Sequence, residues 1–247
     1  MIKLICPFTF SVSPYNLQSS RFIRTKFLLT KFYETNKRFH YIELVTDEES
    51  HKLLDFIKFD SIRYVDTSMF NYVDDFKIQL LQNLNEDEVI IDFDVYLKKP
   101  LHISTEHSIV VERYEESFAE DIYRNLIKDS NVKFDKSYYL NIQNLDKVPN
   151  IGILKINNSN LLNYYTSLYS TKSTEFKLKA TTQKIEHSKY SVLFGQLLLR
   201  QIINNFNYSV FDAKSSSKNS YIHLNGDNKY TSSLEQLKKI IDEKTLL

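Results

Sequence analysis

Tryptophan is absent from these 247 residues, and the chain holds one cysteine, four prolines and three glycines. A lone Cys6 excludes an internal disulfide framework and fits a reducing compartment. No apolar run approaches the roughly 18 residues of a membrane span. The opening MIKLICPFTF is too short an apolar stretch for a signal peptide and lacks a cleavage site. Together these absences predict a soluble, cytoplasmic protein with no transmembrane segment. No Pro/Gly-rich linker divides the chain, so residues 1–247 are read as one domain. Average usage of about 7% would give roughly seventeen glycines. A chain that keeps only Gly152, Gly195 and Gly226 should keep them where a side chain is hard to accommodate.

What is present is core-forming material: 17 Tyr, 17 Phe and 42% hydrophobic residues, enough to bury a large core. Net charge is +1, so the overall balance points to no partner. Apolar spacing alternates strand and helix through the first hundred residues. Strands are predicted at IKLICPF (2–8), YIELV (41–45), SIRYV (61–65) and EVIID (88–92). Helices are predicted at residues 17–35, 46–57 and 73–84. Further on, 107–114, 150–157, 208–212 and 220–224 read as strands, and 159–169, 191–205 and 232–247 as helices. The Lys-rich stretch 172–189 is expected to be a loop or lid, and 212–220 a second flexible stretch. This order predicts an α/β fold, a mostly parallel sheet flanked by helices.

Two constellations carry chemistry. In EVIIDFDVYLKKPL (88–101), Asp92 and Asp94 follow an apolar strand at the end where open α/β sheets bind ligands. Carboxylates at i and i+2 can face one side and offer hard oxygens to Mg2+ or Mn2+, with a diphosphate completing the shell. The plain alternative is a solvated acidic turn. A second alternative is the nucleophile–acid pair of haloacid-dehalogenase phosphatases. Those enzymes place the pair on the first strand, with Thr or Val where this chain has Tyr96. In HLNGDNK (223–229), His223 can add an imidazole nitrogen to a metal that already has two carboxylates. Gly226 allows close backbone approach, and Lys229 brings a point charge for phosphate. Alone, His223 would read as an ordinary surface or satisfied histidine.

These segments resemble the metal-dependent nucleotide-sugar glycosyltransferases of the GT-A fold, nearest the glycogenin and bacterial lipopolysaccharide galactosyltransferase type. The matching features are IIDFDVYLKKPL, the Asn-x-Gly of PNIGILKIN with Asn150 and Gly152, and His-x-x-Gly-x-x-Lys at residues 223–229. The resemblance spans roughly residues 2–230. It implies a Rossmann-like GT-A domain with a nucleotide-sugar-binding half (1–100), an acceptor half (101–230) and a C-terminal helix (231–247). It implies a divalent metal on Asp92, Asp94 and His223, and a nucleotide-sugar donor, UDP-hexose, as co-substrate. Donor contacts are expected from Lys229, Gly226, Lys77, Asp92 and Asn150, and from Asp47 near the base or ribose by its strand-end position. Gln196, in YSVLFGQLLLRQI, matches the polar residue beneath the donor sugar and is expected to be catalytic together with Asp94. Retention is what the resemblance implies. The missing tryptophan and the poor match before Gly152 leave sugar and acceptor specificity outside what it carries.

The expected acceptor is a saccharide or glycolipid. Residues 21–40 hold six Lys/Arg against one Glu, and 172–189 hold five Lys against two Glu. That clustering keeps a polyanionic acceptor open, including DNA with hydroxymethylated bases, alongside the simpler reading of a solvated face.

Overall fold

The computed structural model describes residues 2–11, 19–68, 70, 73–115, 148–183, 193–216, 220–224 and 232–245. Its centre is a seven-stranded sheet built from β1 (Lys3–Pro7), β2 (Tyr41–Thr46), β3 (Ser61–Tyr64), β4 (Glu88–Ile91), β6 (Ile109–Tyr114), β7 (Pro149–Ile156) and β8 (Val210–Asp212). The order is β3-β2-β1-β4-β7-β6-β8. β7 runs antiparallel to both neighbours, and the other pairings are parallel. The expected mostly parallel α/β sheet is therefore present. A separate antiparallel ribbon joins β5 (Val95–Leu97) to β9 (Tyr221–His223).

Strand alternation sorts the core into two layers. Leu4, Cys6, Val89 and Ile91 face the layer under α1 (Ser19–Asn36), the ribbon and the C-terminal helix. Ile5 and Ile90 face the layer under α3 (Val73–Leu81). That second layer is closed by α4 (Ser159–Gln183) and α5 (Leu198–Phe206). Helix α5 ends on Asn207, whose left-handed φ of 51° is the conformation asparagine tolerates at a helix C-terminus.

Three helices depart from expectation. Helix α2 covers only Glu48–Lys52. Leu54 and Ile57 enter the core from turns, and their three-residue spacing imitates a helical period. Helix α4 continues to Gln183, so residues 172–183 are helical where a loop was expected. They carry no apolar stripe, but Lys, Glu, Ala and Gln are good helix formers. A short helix α6 (Ala213–Ser216) occupies part of the second expected flexible stretch.

The ribbon is tied down along its β5 edge. Asn36, fully buried at the end of α1, donates Nδ2–H to the Val95 carbonyl at 2.9 Å and accepts the Leu97 N–H at 2.7 Å. Its amide stands in for a neighbouring strand. Asn36→Ala should lower stability by about 2–5 kcal/mol in urea unfolding, because two buried backbone groups lose their partners. A loss under about 0.5 kcal/mol would show that water replaces them. Part of the basic charge on α1 is engaged with the C-terminal segment. Arg24 donates to the Ser232 carbonyl, and Lys31 pairs with Asp242 on α7 (Leu234–Thr245). Among the described residues, no helix is long and apolar enough to cross a membrane.

Candidate active site

At the carboxyl end of β4 the chain makes a tight turn. The Asp92 N–H donates to the Gly152 carbonyl at 2.8 Å, and the Val95 N–H returns to the Asp92 carbonyl at 3.0 Å. β5 then leaves against β9, with Val95 opposite His223, and the Leu224 N–H donates to the Asp94 carbonyl at 3.1 Å. That register brings His223 to the aspartates. One ligand atom from each of Asp92, Asp94 and His223 lies within 4.8 Å of the others.

His223 is held by a residue the sequence reading did not single out. Its Nδ1 lies 2.6 Å from Oε2 of Glu112, a fully buried carboxylate, and its Nε2 lies 3.4 Å from Asp94 Oδ1. A hydrogen bond from Nδ1–H to Glu112 presents Nε2 to the aspartates. Glu112 sits at a break in the β6–β7 register, where Ile151, Gly152 and Ile153 stand opposite it alone. Such bulges re-aim side chains beside sites. A Cβ on residue 152 would overlap Glu112 Oε2 and come 2.9 Å from His223 Cε1. Gly152 is thus required by the carboxylate–imidazole pair. Asn150 clamps this bend, accepting the Gly152 N–H at 2.9 Å and donating to Glu115 at 2.6 Å. Arg113 bridges the same two acids, 3.2 Å from Glu112 and 3.8 Å from Glu115. The only sequence signal for Glu112 is an acid inside the apolar strand SIVVERY.

Lys77 does reach the site. Its buried Nζ lies 2.7 Å from Asp92 Oδ1 and donates to the Ile151 carbonyl at 3.1 Å. Burial opposes its charge, but Asp92 and Asp74 outweigh that and raise its pKa. Asp92 is raised by burial and by Asp94, with Lys77 pulling it down. Burial also disfavours charge on His223, yet Asp94 and Glu112 lift it to about 10.

Gln196 lies on a π-helical turn, Leu193–Leu197, leading into α5. Gly195 there meets Asp74 of α3 and Ile151 of β7, where a Cβ would come to 2.9 and 3.2 Å, and its carbonyl accepts the Tyr165 hydroxyl at 2.8 Å. The turn therefore packs on the same two elements that carry Lys77 and its Ile151 acceptor. Asp47, next after β2, has both carboxylate oxygens bonded within the chain. It caps α2 through the Ser50 N–H at 2.8 Å and also accepts from the hydroxyls of Ser50 and Thr9. Those bonds lower its pKa despite burial. Gly226 and Lys229 lie outside the described residues.

Two carboxylates and one oriented imidazole are a hard-oxygen and borderline-nitrogen donor set, which suits Mn2+ or Mg2+. No protein-family model matches the chain, and no curated protein matches it. Among solved structures it is similar to mouse xyloside xylosyltransferase 1 in its apo form, at 14% identity over 85% of this chain and 84% of that one, with TM-score 0.46. It is also similar to the glycosyltransferase GlyE of Streptococcus pneumoniae TIGR4, at 13% identity over 100% of this chain and 60% of that one, with TM-score 0.47. At these identities the function has to be read from the residues of the site.

Proposed function

We propose that this chain is a metal-dependent glycosyltransferase moving a sugar from a nucleotide-sugar, a UDP-hexose, to a saccharide or glycolipid acceptor with retention. The observation that carries this reading is the convergence of Asp92, Asp94 and His223 at the carboxyl end of β4, with Glu112 orienting the imidazole. The donor class and retention come from the resemblance of the motifs. Asp92, Asp94 and His223 would hold Mn2+ or Mg2+, which supplies positive charge for the departing diphosphate.

The remaining work falls to the chain's own side chains. Lys77 fixes Asp92 and limits repulsion between the two aspartates. Gln196 offers an amide to the sugar as positive charge develops at its anomeric carbon. The bond from that carbon to the diphosphate oxygen breaks with its electron pair on the phosphate. The acceptor hydroxyl forms the new bond on the same face, and its proton passes to the departing oxygen. The motif resemblance assigns Lys229 and Gly226 to the diphosphate and Asn150 to the donor, and the strand-end position of Asp47 assigns it to the nucleoside. In this reading residues 1–100 serve as the donor half and 101–230 as the acceptor half, with α7 (Leu234–Thr245) closing the chain.

Incubating the chain with a panel of nucleotide-sugars, with and without Mn2+, tests this directly. One donor should be hydrolysed slowly to free sugar, and chelation by EDTA should abolish the reaction. Full activity in excess EDTA would return Asp92 and Asp94 to an ordinary acidic turn.

A further inference from the structure

A groove of about 520 Å3 runs between α3 and α4, lined by side chains that take no part in the site above. Among the described residues no lysine or arginine lines it, while the Asp75 carboxylate does, which disfavours phosphates and other anions. Its lining is dominated by hydroxyls and amides, which disfavours a lipid chain. Thr171 and Thr174 donate back to the Ser167 and Ser170 carbonyls at 3.0 and 2.9 Å. Their oxygens are left as acceptors facing outward. The Gln79 and Asn163 side chains line the same groove and are solvent-accessible on its two walls. Asp75, fixed by the Tyr169 hydroxyl at 2.9 Å, adds a carboxylate acceptor.

Aromatic surface accompanies this polar wall. Phe70 lines the groove and stacks on Phe76. Neutral hydrogen-bonding groups in both senses, beside the Phe70 ring that can cover a C–H face, match a polyhydroxylated ring compound. Helix α3 contributes both to this groove and, through Lys77, to the site. Asp75 follows Asp74, which meets Gly195 in the Gln196 turn.

We propose that the α3–α4 groove is a second binding site, which takes a neutral oligosaccharide. The saccharide class follows from the groove itself. Only its connection with transfer, as a hold on an extended acceptor, rests on the glycosyltransferase reading.

The test uses the full chain and neutral hexasaccharides of glucose, xylose, galactose and N-acetylglucosamine, followed by calorimetry and saturation-transfer NMR. At least one should bind. Ser170→Trp, which fills the groove from an exposed position on α4, should weaken it about tenfold or more. Gln79→Ala, on the opposite wall, should weaken it severalfold, and Mn2+ affinity should be unchanged in both. No binding by any hexasaccharide at about 10 mM, or binding indifferent to both substitutions, would overturn the site. Saccharide binding without hydrolysis of any donor would leave the groove standing and remove the glycosyltransferase reading. Donor hydrolysis without saccharide binding would do the reverse.

Discussion

Asp94→Asn should reduce sugar transfer about a thousandfold, near 4 kcal/mol of transition-state stabilisation at about 1.36 kcal/mol per tenfold. Asp94 is 3% exposed, so an amide of the same shape leaves packing intact. The Leu224 N–H that closes the ribbon bonds to the Asp94 backbone carbonyl, which the substitution does not touch. His223 also keeps its bond to Glu112. What disappears is a negative oxygen ligand between Asp92 and His223. The fold should therefore hold, less the pairing of Asp94 with His223, while Mn2+ affinity and transfer collapse together. Retention of more than about a tenth of the activity would show that Asp94 does not hold the metal.

Gly152→Ala is expected to be nearly as damaging without touching a ligand. The new methyl group would occupy the space of Glu112 Oε2, and a buried, doubly bonded carboxylate cannot swing away cheaply. Arg113 holds its other oxygen at 3.2 Å, and His223 depends on it. Displacing Glu112 frees the imidazole to rotate or change tautomer, and loss of such supporting groups costs about 10–100-fold in metal affinity. Overpacking adds about 1–3 kcal/mol of destabilisation. Mn2+ titration should resolve the first effect and thermal unfolding the second. Wild-type Mn2+ affinity in Gly152→Ala would mean that Glu112 does not position the histidine.

The sheet was legible in the sequence because its strands are short apolar runs between helical periods, and IKLICPF, YIELV and EVIID all fall on observed strands. The extension of α4 was not legible, since residues 172–183 lack the apolar stripe that marks a packed helix. β5 was also missed. VYL is three residues long, and what makes it a strand is pairing with YIH, more than a hundred residues later.

The same division holds within the site. The sequence by itself determined which groups could bind a cation, because carboxylate and imidazole chemistry belongs to the residues Asp92, Asp94 and His223 wherever they lie. It also marked Gly152 and Gly195 as positions where a side chain is not tolerated. Only the tertiary structure decided what stands in that space: the Glu112 carboxylate at one glycine and Asp74 at the other. It likewise decided that Lys77 braces Asp92 from inside the protein and that Asp47 caps a helix. A side chain's partners depend on strand register, bulges and crossovers that join distant segments, and none of these leaves a periodicity in the local sequence.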